Sequence, residues 1–127
     1  MAHFAGYQKS RPVRIGHGAA DQLQLDIYGE LLDSVYIFNK HAGPISYDFW
    51  MDLVRIVNWV CAHWQKADEG VWEVRGGRRE FLYSRVLCWV AVDRAIRIAQ
   101  HRSFPAPIVK WLRVRDRIYQ DVYHKFW

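Results

Sequence analysis

Apolar residues recur along this chain every three or four positions, the rhythm of a helix that buries one face, and four stretches keep it. In the first, residues 17–41, Leu23, Ile27, Leu31, Val35 and Phe38 share a stripe. Asp21, Asp26, Glu30 and Asp33 supply its polar faces, and Gly43-Pro44 ends it. Ser46 is placed to cap the second, residues 47–66. There Trp50, Leu53, Val54, Val57, Val60, Cys61 and Trp64 hold an a/d pattern. The third runs from about Ser84 to Arg102. Its first half, RVLCWVAV, is apolar nearly all round, which predicts burial on more than one side. The run SFPAP, from Ser103 to Pro107, interrupts, and Pro107 suits a first helical position. The fourth helix, residues 107–126, sets Ile108, Trp111, Leu112, Ile118, Tyr119, Val122 and Phe126 on one side.

No stretch alternates with the period of two that a half-buried strand needs, so the pattern predicts an all-α chain. Short links between long helices favour antiparallel neighbours, hence two αα-hairpins. The chain divides into an N-terminal approach segment, residues 1–16, and the helices of residues 17–127. One connection breaks the economy. Between the second and third helices lies DEGVWEVRGGRREF, residues 68–81, with Gly76 and Gly77 at its centre. A long link in a compact helical array is more often functional than idle.

Composition adds a surplus of rings: seven Trp and seven Tyr in 127 residues. They can fill a core, meet neighbouring surfaces or stack on a ligand. The net charge of +5 attracts acidic partners only weakly, and the arginines are spread along helices, where they read as solvated faces. No nucleic-acid partner is expected. No stretch is apolar enough to span a membrane, and the N-terminus lacks a signal-peptide core. Cys61 and Cys88 sit inside apolar runs without C-x-x-C spacing, so they read as small buried residues of a protein in a reducing cytoplasm. The six histidines are dispersed, none paired at i, i+4, and neither a metal nor a cofactor is expected.

In an antiparallel array, the approach to helix one and the link from helix two to helix three sit at the same end. Arg11 and Arg14 can therefore meet Trp72 and Glu73 at one rim. An acid beside an indole has two readings. Burial against Trp72 would raise the Glu73 carboxyl towards a general acid's range, and the indole face would stack on a sugar ring. Alternatively, Glu73 pairs with Arg75, Arg78 or Arg79 in a surface loop. Arg11 and Arg14 suit ligand hydroxyls or, equally, the orphan carbonyls of helix ends.

Taken together, SRPVRIG with the AADQLQLDIYGELLD helix and then DEGVWEVRGGRREFLYSRVLCWVAVDRAIR resembles glycoside hydrolase family 15. The likeness is to its bacterial glucoamylase and trehalase branch, and it runs from Gly6 to the RDRIYQDVY helix. The resemblance implies an (α/α)6 toroid of twelve helices around a pocket, of which this chain would supply about four. It implies removal of glucose from an α-glucoside or α-glucan with inversion at the anomeric carbon. Glu73 falls where the family keeps its general acid. Trp72 falls on an aromatic of the sugar subsite, and Arg11 and Arg14 on pocket-side arginines. Asp68, Glu69 and Arg75 fall on the same active-site loop. Lys9 and His17-Gly18 depart from the usual residues.

An inverting glycosidase also needs a carboxylate base roughly 6.5–9.5 Å from the acid. By resemblance that base belongs to a later helix-to-helix loop, so this chain alone is expected to be inactive. Faces that belong against neighbouring hairpins would then be exposed, predicting self-association or packing against the rest of the toroid. The alternatives are a carbohydrate-binding or regulatory helical domain without catalysis, and an αα-hairpin interaction module.

Overall fold

A computed structural model of the chain describes residues 17–65 and 78–126. Among these residues there are four helices: α1 (His17–His41), α2 (Tyr47–His63), α3 (Arg78–Arg102) and α4 (Ile108–Phe126). The fold is all-α, as the periodicity predicts.

Each boundary has a local cause. Lys40 and His41 occupy the last turn of α1, where cations complement the helix dipole, and Gly43 turns the chain at φ 143°. Ser46, with extended backbone, accepts a hydrogen bond from the Phe49 amide at 3.1 Å and so caps α2. Ser103 leaves α3 at φ 55°, and the Phe104 amide bonds back to the Ala99 carbonyl at 3.0 Å. That six-to-one bond closes a Schellman-type end. The carbonyl of Pro107 accepts the Trp111 amide at 3.0 Å, so Pro107 stands one residue before α4 proper.

The third helix begins earlier than its pattern suggests, at Arg78 instead of Ser84. The double glycine masks the start. Phe81, Ser84 and Cys88 already follow helical spacing, and all three are buried.

Helices α1 and α2 form one hairpin and α3 and α4 the other, yet the most extensive packing is between α1 and α3. Those two run parallel: Gln22 meets Ser84, and Asp33 meets Arg94. Their backbones approach closely at Gly29, where a Cβ would stand 2.6 Å from the Leu87 carbonyl oxygen. This contact line corrects the first predicted stripe. Leu25, Leu32 and Val35 are buried with Gln22, whereas Leu23 is 41% and Phe38 53% exposed. A glycine and a glutamine belong to the real line, and counting only apolar residues passes over both. On α4, similarly, Trp111, Val114 and Ile118 are buried while Leu112 and Tyr119 face outward.

The core lies along α3, buried on several sides as expected, with Cys88, Ala91, Val92, Ala95, Ile96, Ile98 and Ala99 nearly or fully enclosed. At one end of it Trp50 stacks on Phe104 with centroids 5.2 Å apart and meets Trp111 edge-on at 6.1 Å. Its indole N–H donates to the Pro105 carbonyl at 2.9 Å, and that of Trp111 donates to Asn58 Oδ1 at 2.9 Å. Trp50, Trp64 and Trp111 are therefore core residues, with the indole N–H groups of Trp50 and Trp111 both bonded.

Candidate functional site

The site proposed from sequence depends on one end of the bundle, where α1 and α3 begin and α2 and α4 finish. The described residues bring those four helix ends together. Gln22 Nε2 donates to Ser84 Oγ at 2.8 Å, both side chains buried, which ties the first turns of α1 to those of α3. Tyr83 donates to Glu30 Oε2 at 3.0 Å on the outer side of the same seam.

Arg85 joins the other two ends. Its side chain is 2% exposed. Its Nη1 donates to the Trp64 carbonyl, the cap of α2. Its Nε lies 3.2 Å from Asp121 Oδ2 near the end of α4. The guanidinium also rests against two rings, 5.0 Å from the Trp64 centroid and 4.6 Å from that of Phe81. Phe81 in turn meets Phe126 at 6.0 Å. Burial pulls the Arg85 pKa below the usual arginine value, and the charge of Asp121 partly restores it.

A second charged centre lies further along α3. Asp93 is buried at 1% exposure and receives three arginines. Arg94 Nη1 approaches at 2.5 Å, Arg97 Nε at 2.8 Å and Arg115 Nη1 at 2.6 Å. Arg94 continues to Asp33 on α1 at 2.9 Å. Burial alone would raise the Asp93 carboxyl, but hydrogen bonds from Arg97, Arg94 and Arg115 hold it below the usual carboxylate range. Arg85, Arg94 and Arg115 correct the reading of the basic residues as solvated faces, while Arg97 stays 54% exposed. A partial signal was present: Asp93 and Arg97 stand four apart, while Arg115 comes from another helix and is invisible to local pattern.

The two thiols are quiet. Burial pushes the thiol of Cys61 up to about 11 and that of Cys88 up to about 12, so neither is a nucleophile at neutral pH. Among the described residues, no group of three or more His, Cys, Asp or Glu is placed to hold a metal ion. No described helix is long and apolar enough to cross a membrane.

The seven residues assigned to the site from sequence, Arg11, Arg14, Asp68, Glu69, Trp72, Glu73 and Arg75, lie outside the described residues. What the structure does place is the frame on either side of them. The first turn of α1, the last of α2 and the first of α3 share one end of the molecule. The model of the family "Glycosyl hydrolases family 15" matches residues 2–127.

The chain belongs to glycosyl hydrolase family 15.

Its relatives within the family are consistent with one another. A trehalase of Mycobacterium tuberculosis is 40% identical over 122 residues, covering 96% of this chain and 18% of that protein. A trehalase of Mycolicibacterium smegmatis is 41% identical over 122 residues, again 96% of this chain and 18% of the relative. A trehalase of Thermoplasma acidophilum is 37% identical over 122 residues, 96% of this chain and 21% of the relative. This family 15 chain thus spans about a fifth of the length of the curated relatives it matches. No solved structure matches it. The four helices are consistent with part of the family's (α/α)6 toroid.

Proposed function

We propose that this family 15 chain supplies the general-acid side of an inverting α-glucoside hydrolase, with trehalose as the substrate. The observation that carries the reading is its likeness, at 40% identity across 96% of its length, to a protein named trehalase. Glu73 would give its proton to the departing glycosidic oxygen while water enters on the opposite face of the sugar. Trp72 would stack on the glucose ring, and Arg11 and Arg14 would fix its hydroxyls. Asp68, Glu69 and Arg75 complete the loop around the acid. The carboxylate that activates the water would come from outside residues 1–127, so this chain would bind the sugar without hydrolysing it. The two free thiols fit a cytoplasmic setting. The outward apolar faces would be covered by further helices of the toroid or by a second copy of the chain.

A chimera tests the assignment. Replacing the matched 122-residue segment of the Mycolicibacterium smegmatis trehalase by this chain restores both sides of the proposed site. The chimera should hydrolyse trehalose to one β-glucose, from the inverted centre, and one α-glucose, from the leaving group, in equal amounts before mutarotation, as seen by NMR. Glu73→Gln should lower turnover by about 10²–10⁴-fold while trehalose binding persists. Undiminished turnover in the Gln variant would remove Glu73 from the mechanism. Sugar binding without turnover in the unsubstituted chimera would favour a non-catalytic binding role.

A further inference from the structure

We infer that the cleft between the last turns of α1 and α3 is a binding site for a small hydroxylated anion of monosaccharide size, a sugar acid or a sugar phosphate. The inference goes beyond the glycosidase reading and uses none of its residues. The cleft encloses about 280 Å³. Ligand pockets commonly run from about 300 to 1,000 Å³, so this one suits a single sugar ring. It stands about 25 Å along the helices from the Gln22–Ser84 tie.

Its chemistry begins with Asn39. The Oδ1 atom is shielded from water and accepts no hydrogen bond from the described residues. A shielded acceptor without a donor costs stability. A ligand hydroxyl at that point would supply the hydrogen.

The walls are cationic. Lys40 Nζ lies 5.8 Å from the centroid of the Tyr36 ring, and no described carboxylate lines the cleft. From α3 comes Arg97, 54% exposed, held at Nε by Asp93 Oδ2 at 2.8 Å and hydrogen-bonded also to Tyr36. That tether fixes the guanidinium without neutralising the region. Lys40, Arg94, Arg97 and Arg115 stand against two carboxylates, Asp33 and Asp93. The surplus positive charge favours an anion. Gln100 and His101 add exposed polar groups, and Ile98 adds a buried apolar surface for the C–H face of a sugar.

Helix dipoles explain part of this pattern. Lys40 and His101 stand in last turns, where cations complement the C-terminal carbonyls. The dipoles account neither for Arg97, which stands earlier on α3, nor for the shielded Asn39 acceptor. A plain anion would satisfy the cations and leave Asn39 unfilled. A neutral sugar would do the reverse. A ligand carrying both groups serves the whole lining.

Calorimetric titration of this chain, with NMR of its side-chain amides, tests the site with four solutes: gluconate, glucose 6-phosphate, glucose and sulfate. Gluconate or glucose 6-phosphate should bind and shift the Asn39 and Gln100 amide signals. The tighter of the two identifies the anionic group as carboxylate or phosphate ester. Glucose lacks the charge and sulfate lacks the hydroxyl, so each should bind at least about tenfold more weakly. Lys40→Gln, at an exposed position, should weaken the anionic sugar by about tenfold and leave glucose unchanged. Asn39→Leu should bring the anionic sugar down to the level of sulfate. Affinity for glucose or for sulfate equal to that for the anionic sugars would overturn the assignment. So would binding that both variants leave unchanged. Failure of all four solutes to bind would overturn the site itself.

Discussion

Asp93 gathers three ion pairs at one carboxylate. Its carboxylate is enclosed, and it persists as an anion because three guanidinium groups supply both hydrogen bonds and charge. Removing one partner of a fully buried pair costs about 3–5 kcal/mol. The three arginines keep some contact with water, so Asp93→Asn should cost somewhat less, about 2–3 kcal/mol, read from urea unfolding at pH 7. The sign of the pH dependence follows from the lowered folded-state pKa. Above the ordinary carboxylate value of 3.8 the stabilisation is fully present, and it is lost as pH falls through the lower folded value. The difference between wild type and Asp93→Asn should therefore be constant near neutrality and shrink only below about pH 4. A difference that shrank between pH 8 and 6 would mean that another group carries the effect. The exposed Asp52–Arg55 pair offers the contrast: at 2.6 Å but in water, its loss should change stability by less than about 1 kcal/mol.

At the scale of the element, α3 organises the rest. It is parallel to α1, antiparallel to α2 and α4, and buried on the sides facing all three. Its C-terminal stop uses a serine where glycine would be unstrained, since Ser103 has φ 55°. A non-glycine residue in that left-handed region pays about 1–2 kcal/mol, against about 0.5–1 kcal/mol for the added chain entropy of glycine. Ser103→Gly should thus stabilise the protein by about 0.5–1 kcal/mol and raise Tm by a few degrees, measured by thermal unfolding. A lower Tm would show that the serine side chain contributes something its backbone strain conceals. The glycine at the middle of α1 has the opposite logic. Gly29 is needed because the Leu87 backbone occupies the place of a Cβ, so its value lies in contact and not in backbone freedom.

At the scale of the whole molecule, large apolar side chains remain outside. Ile37, Phe38, Tyr47, Val109, Tyr119 and Tyr123 are each at least 49% exposed. Phe38 also borders a groove of about 550 Å³ with Val35, Ile45 and Phe49 between α1 and α2. Surfaces of this kind are rarely left open to water. The proposed self-association should appear in light scattering as a mass above 15.1 kDa that rises with concentration. Phe38→Ser combined with Tyr119→Ser should reduce it. A single 15.1 kDa species across the accessible concentration range would count against association.

The sequence by itself determined the all-α class, the four helices found among the described residues and most of their limits. Those depend on interactions a few residues apart: the i, i+3 and i, i+4 recurrence, Ser46 as a cap, Gly43-Pro44 and SFPAP as stops. It also carried the family, because RPVR and VWEVRGGRR with the helices around them are local strings. Tertiary structure alone decided which face of α1 is buried, since only the approach of Leu87 makes Gly29 and Gln22 contact residues. It alone turned Arg85 and Asp93 from apparent surface charges into enclosed ties, because their partners Asp121, Trp64 and Arg115 come from other helices. Helical periodicity reports which residues can share a face; it holds no information about which neighbour will cover that face, or where two charges distant along the chain will meet.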